Sequence, residues 1–128
     1  MRHITDHIVE GDSVNHRLQI EVQDEPGQGG ANHEYLVLLP PDSTFQHAPV
    51  NGVTIQFQNG PIKEFGVNGV TGEALTAIQI DRLRGFQSGP FACDDNAEAL
   101  AHYEAALECL QRRTKARIAR GVEETHIA

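Results

Sequence analysis

The stretch DNAEALAHYEAALECLQRRTKARIARG, residues 95–121, decides the fold of the second half of this chain. Its apolar side chains recur three or four positions apart, which is the spacing of one helical face: Leu100, Tyr103, Leu107 and Leu110. Asp95 with Glu98 three residues later has the pattern of a capping box, and Gly121 is suited to end a helix. The stretch therefore predicts one helix of about 25 residues, or about 38 Å.

A shorter helical pattern precedes this stretch. After Gly69, apolar residues again follow at helical spacing: Leu75, Ile78, Leu83 and Phe86. Thr71 is placed to cap the first turn, and Gly85 together with the Ser88-Gly89-Pro90 break is expected to end the helix after roughly four turns. Two helices joined by a short break predict a helical hairpin over residues 69–128.

Residues 1–68 have the period of β-strands instead. Leu18 to Val22 and Val53 to Gln58 alternate apolar and polar side chains, and Tyr35 to Leu39 is a short apolar run that Pro40 ends. Glycine-rich turn signals separate these segments, so a meander of three or four antiparallel strands is expected. The predicted fold class is α+β, with an N-terminal antiparallel β-sheet followed by a C-terminal two-helix hairpin in a single domain, 1–128.

The charge distribution is uneven along the chain. Residues 1–110 hold 16 acids and 5 bases, whereas the other five bases lie between Arg112 and Arg120 with no acid among them. Like charges on one helical face repel, so this basic cluster favours an anionic ligand, although a basic helix end can also simply complement the helix dipole in solvent. With a sequence pI near 5.2, a small anion is a better candidate than a nucleic acid polymer.

Several other classes of protein lack support in the sequence. The two cysteines, Cys93 and Cys109, show no CxxC spacing, and no segment is apolar enough for a signal peptide or a membrane span. A cytoplasmic protein is therefore expected. His3 and His7 share a face on a helix or a strand, but no zinc motif accompanies them, and no nucleophile motif is present. We predict no metal, no cofactor and no catalytic residue.

From Gly66 to His126 the chain resembles phage Thoeris anti-defence proteins, a signal-sponge family that shares a helical hairpin with the phage sponges opposing CBASS immunity. The resemblance covers about half of the chain. It is carried by GVNGVT at 66–71, Ala74-Leu75, Asp81-Arg82-Leu83, Phe86-Gln87, GPFAC at 89–93, Asn96, Arg113-Thr114, Arg117, RGVE at 120–123 and Thr125-His126.

This resemblance implies a homodimer, in some members assembled further into a hexamer, that sequesters cyclic ADP-ribose isomers in the infected bacterial host cell without degrading them. The implied ligand contacts are Phe86, Asn96, Arg113 and Arg117. Phe86 would stack on adenine, Asn96 would hydrogen-bond to hydroxyls or a base edge, and the two arginines would clamp phosphates.

Some members of the family also hold CBASS cyclic oligonucleotides at a second site. That site maps onto Arg120, Gly121, Glu123 and Thr125 of this chain. The chain departs from the family pattern nearby, with Glu124 where a glycine is expected and Asp94 where a basic residue is common. Two other readings of the sequence stay open: an enzyme that degrades a cyclic nucleotide signal, and a dimeric interaction module whose basic helix end binds an acidic protein.

Overall fold

The computed structural model describes residues 2–44 and 51–121. It divides into two compact units, Met1–Asn59 and Gly60–Ala128. The first contains an antiparallel sheet and the second a helical hairpin, so the predicted α+β class is confirmed. That the two form a single domain stays a prediction. Within the described ranges, no helix is long and apolar enough to cross a membrane.

Among residues 2–44 and 51–59 the sheet has four strands that neighbour each other in chain order, so the predicted meander is confirmed. Their bounds are β1 Arg2–Ile4, β2 Gln19–Val22, β3 Glu34–Leu38 and β4 Gly52–Gln56. Pairing places Val22 opposite Tyr35, and Tyr35 opposite Ile55, so apolar side chains from three strands share one face. Val22, at 1% exposure, is the most buried side chain of this unit among the described residues. A short 3₁₀-helix, Asn15–Arg17, precedes β2 and was not predicted.

The connection between β2 and β3 is held by one carboxylate. Asp24 accepts hydrogen bonds from the backbone N–H of His33, at 3.0 Å, and of Glu34, at 3.2 Å. Partial burial raises the pKa of the Asp24 carboxyl, but these N–H donors outweigh it and hold the pKa below the ordinary value of 3.8. Asn32, buried, donates to the Asp24 carbonyl and accepts from Arg2, which ties the loop to β1.

The described part of the second unit, residues 60–121, contains three helices: α1 Ile62–Phe65, α2 Gly72–Gln87 and α3 Asp94–Arg120. The short helix α1 was not predicted. Thr71 caps α2 as predicted, because its hydroxyl oxygen accepts from the backbone N–H of Ala74 at 3.0 Å. Gly121, with a φ of +72°, ends α3 as predicted.

One predicted helix boundary is confirmed and another is wrong. Helix α2 continues through Gly85 to Gln87 and ends at the predicted Ser88 break, so only the part given to Gly85 was wrong. Asp95 does not cap α3, since it lies inside the first turn, and the cap is Cys93. The Cys93 sulfur accepts from the backbone N–H of Asn96 at 3.4 Å, and the Cys93 N–H donates to the Gln87 side chain at 3.1 Å.

Side-chain contacts fix α2 and α3 as an antiparallel pair. Near the start of α2, the Thr114 hydroxyl donates to the Glu73 carboxylate at 2.7 Å. Near its end, the Arg84 guanidinium pairs with Glu104 at 3.0 Å. Between these contacts lies Ile80, a hydrophobic residue that is buried at 3% exposure. The predicted helical hairpin is confirmed, and its register places the basic end of α3 beside the start of α2.

Candidate functional site

The basic end of α3 carries the two arginines predicted to clamp phosphates. Arg113 is exposed, and Arg117 lies one turn further along the same face. The Arg117 side chain is partly buried, and its Nε atom is enclosed by protein with no hydrogen-bond partner among the described residues. An enclosed N–H donor without an acceptor is costly to leave unpaired. This atom therefore points to an acceptor supplied from outside the described part of the chain.

Other basic residues of the cluster differ from this pair. The Arg112 guanidinium lies on the solvent side of α3 and donates to the Cys109 sulfur one turn earlier, at 3.2 Å. Lys115 is exposed. Arg113 and Arg117 thus lie close to one face of α3, whereas Arg112 and Lys115 lie on the other side of the helix.

Phe86 lies in the last turn of α2 and is 40% exposed. The Arg82 guanidinium carbon is 5.6 Å from the centroid of its ring. Since Phe86 keeps accessible surface while one side is covered by a cation, its ring can still take a stacked base. Sequence reasoning missed Arg82 as a neighbour of the candidate site. Its i,i+4 spacing from Phe86 on a predicted helix was the available signal.

Asn96 lies in the first turn of α3, across the interhelical connection from Phe86. Its backbone N–H is bonded to the Cys93 cap, so its side-chain amide is not needed for capping the helix. The side chain is partly buried. Phe86 and Asn96 therefore lie at the same end of the hairpin, on successive helices.

The structure separates the four predicted site residues into two pairs. Asn96 and Arg113 are 17 positions apart on one continuous helix, which is about 25 Å, and Arg117 is a further turn away. Phe86 lies 13 positions along α2 from Glu73, the residue that contacts Thr114, which is about 20 Å. One copy of the chain therefore brings Phe86 to Asn96 and Arg113 to Arg117, but not one pair to the other.

The predicted second site falls partly outside the described residues. Arg120 is the last residue of α3 and Gly121 is its C-cap. Glu123 and Thr125 lie outside the described ranges. Their proximity to Arg120 therefore stays a prediction.

Two cavities formed by described residues do not coincide with the predicted contacts. One, of about 330 Å³, lies between α2 and α3 and is lined by Ala77, Ile80, Arg84, Glu104, Leu107, Glu108 and Gln111. The other, of about 360 Å³, lies in the sheet unit beside His3, His7, His16 and Arg17. Within residues 2–44 and 51–121, no group of three or more His, Cys, Asp or Glu side chains could hold a metal ion.

The chain is similar to known proteins over its helical hairpin. The family model for the Acb2/Tad1 hairpin domain matches residues 49–115, about half of the chain. That match spans α2 and most of α3, includes Phe86, Asn96 and Arg113, and stops two residues before Arg117. A relative, Thoeris anti-defense 1 of Bacillus phage SBSphiJ7, is 49% identical over 73 residues, which is 57% of this chain and 51% of that protein. The chain thus spans about half the length of this relative.

Proposed function

Because the chain belongs to the Acb2/Tad1 hairpin-domain family, we propose that it is a phage anti-defence protein that binds a cyclic ADP-ribose-type immune signal. It sequesters the signal without degrading it and so blocks Thoeris immunity in the cytoplasm of the infected cell. The similarity to a protein named Thoeris anti-defense 1 supports Thoeris as the immune system that this protein opposes. The side chains of the hairpin support the chemical class of ligand.

The observation that carries this proposal is the arginine pair on α3. Arg117 has an enclosed N–H donor without a partner among the described residues, and Arg113 lies one turn away on the same face. A guanidinium presents a planar fork of donors that matches the oxygens of a phosphate. A pyrophosphate-bearing ring supplies acceptor oxygens and negative charge to both guanidinium groups, whereas a neutral ligand offers acceptors but no charge to offset the two cations.

The binding site is shared between two copies of the chain. A single small ring cannot reach from Asn96 to Arg113 across about 25 Å. Two hairpins that pack antiparallel bring Phe86 and Asn96 of one copy to the arginine pair of its partner, and the twofold symmetry of such a dimer generates two equal sites. Exposed apolar side chains on the second unit are consistent with burial against another copy: Phe65, Val67, Ile78, Phe91 and Ile118. The assembly is a homodimer, or a hexamer built from dimers.

The magnitudes favour this shared site. Sequestration near nanomolar concentration needs about −12 kcal/mol. A hydrogen bond from an arginine to a charged group contributes about 1.5–3 kcal/mol, and stacking of a base on an aromatic ring contributes about 1–3 kcal/mol. Since association also costs rotational and side-chain entropy, neither half-site suffices alone. High affinity therefore requires the ring, the carboxamide and both guanidinium groups to act on the same ligand.

A second ligand site is part of the same proposal. Arg120 at the end of α3, with Gly121, Glu123 and Thr125, takes a CBASS cyclic oligonucleotide. The observation that favours it is the position of Arg120, a cation on the last helical turn next to a glycine with positive φ. A phosphate approaches backbone more closely at a glycine than at residues with a side chain.

Depletion of ligand from solution tests the proposal. Purified protein is incubated with glycocyclic ADP-ribose isomers, and separately with cyclic dinucleotides and trinucleotides, and the free ligand is measured before and after heat denaturation. We expect loss of a glycocyclic ADP-ribose isomer at a fixed molar ratio and its recovery intact on heating. Arg112→Ala is the matched control for Arg113→Ala and Arg117→Ala, since all three remove one guanidinium from α3.

The same experiment separates the alternatives. An enzyme would convert ligand at substoichiometric protein, and the heated sample would contain product. A protein-interaction module would leave every nucleotide in solution. Either result contradicts the proposal.

A further inference from the structure

We infer that Arg82 is a positioning residue for the ligand, acting through the ring of Phe86. This inference rests on the proposed function and adds a residue to its site. The guanidinium carbon of Arg82 lies 5.6 Å from the Phe86 ring centroid, one helical turn before it on α2. A cation at this distance from a ring is attracted by the negative face of the π-system.

The two neighbouring arginines of α2 have different partners. Arg84 forms an ion pair with Glu104 across the hairpin at 3.0 Å. For Arg82, the contact found among the described residues is the aromatic ring, and no carboxylate there lies within ion-pair distance of it. The positive charge of Arg82 is therefore not neutralised by an ion pair within the described ranges, although the helix carries an acid next to it at Asp81.

This arrangement makes Phe86 a candidate platform for a base. The guanidinium of Arg82 lies over the ring at 5.6 Å, and the 40% exposure of Phe86 leaves surface that a base can contact. A planar cation, an aromatic ring and a purine can stack in that order. This order specifies the side from which the base enters. The cation of Arg82 withdraws π-electron density from the ring face that meets an electron-rich purine. Arg82 thus favours a purine ligand over one without a base.

A double-mutant cycle tests whether Arg82 acts through the ring. Arg82→Met keeps the aliphatic stem and removes the planar cation, Phe86→Leu removes the ring, and the third variant combines them. Affinity for a glycocyclic ADP-ribose isomer is measured by calorimetry. We expect Arg82→Met to weaken binding about two- to fivefold in the wild-type background and to have no effect beyond error when Phe86 is leucine.

The control is Arg84→Met, which makes the same chemical change two positions away and should leave affinity unchanged. Thermal unfolding of each variant shows whether the hairpin is intact. Wild-type affinity in Arg82→Met overturns the inference and leaves the proposed function standing. An equal loss of affinity with and without the Phe86 ring does the same, because Arg82 would then contact the ligand itself. Failure of the wild-type chain to bind any isomer overturns the proposed function and the inference together.

Discussion

Replacement of Arg117 by alanine separates binding from folding more cleanly than any other change in the hairpin. No hydrogen bond of the described structure is broken, because the enclosed Nε atom has no partner there. Alanine has the higher helix propensity, and the loss of a cation from the last turn of α3 costs about 0.3–1 kcal/mol. These effects oppose one another, so we expect the thermal midpoint to change by less than about 5 °C.

The expected effect on ligand binding is much larger. A guanidinium that grips a phosphate through two hydrogen bonds contributes about 1.5–3 kcal/mol per bond. Loss of about 3 kcal/mol raises the dissociation constant by a factor of somewhat more than 100. Since both sites of the proposed dimer would lose Arg117, the stoichiometry should stay the same while affinity falls.

Isothermal titration of a glycocyclic ADP-ribose isomer into wild-type, Arg117→Ala and Arg112→Ala protein measures the difference. Arg112 is the control because its guanidinium contacts Cys109 on its own helix. An Arg117→Ala protein that is folded and binds with wild-type affinity would refute the role given to this arginine. Equal weakening by both variants would show that only the net charge of the helix end matters, as expected for long-range attraction of an anion.

Three further changes test the local structure. Thr71→Ala removes the cap of α2 and should lower the free energy of unfolding by about 0.5–2 kcal/mol in urea titrations, and Thr71→Ser should restore most of it. Gly52→Ala places a Cβ atom 2.5 Å from the backbone oxygen of Val37, so we expect a loss of about 1–3 kcal/mol, and an unchanged denaturation midpoint would contradict that contact. The lowered pKa of Asp24 stabilises the sheet unit above the unfolded value of 3.8, and this contribution is lost as pH falls through the folded pKa. Asp24→Asn should therefore flatten the decline in stability below about pH 4, and identical acid-unfolding curves for both proteins would argue against it.

The strands were predictable because their alternation is a local property. Leu18 to Val22 was predicted as a strand and the structure has Gln19–Val22, while the apolar run from Tyr35 lies in Glu34–Leu38. Alternation places every second side chain of a strand on the inner face of the sheet, so an apolar/polar period of two gives that face apolar residues whichever strand lies alongside. The Thr71 and Gly121 boundaries were predictable for a similar reason, since a cap needs only residues within one turn.

The start of α3 was not predictable from the same rules. All four residues from Cys93 to Asn96 can accept a hydrogen bond from a helix N-terminus. Among them, Asp95 with Glu98 fits the capping-box pattern. Cys93 is the cap because its own N–H is held by Gln87, which fixes the angle at which the chain enters the helix. Gly85 was wrongly expected to help end α2. A glycine costs about 1 kcal/mol inside a helix. Hydrogen bonds from the Ser88 hydroxyl and backbone N–H to the Gly85 carbonyl offset that cost.

The sequence by itself, through its resemblance to the sponge family, predicted which residues carry the candidate chemistry: an aromatic ring, a carboxamide and two arginines. Its charge contrast independently favoured an anionic ligand. Only the tertiary structure decided where they lie. The register of the hairpin depends on Glu73 with Thr114 and on Arg84 with Glu104, pairs that are 41 and 20 residues apart in the chain. Local periodicity cannot specify such a pairing, because a helix presents the same face whatever packs against it. The structure therefore added three facts. The predicted site residues fall into two separate pairs, the Nε atom of Arg117 is enclosed, and the guanidinium of Arg82 lies over Phe86.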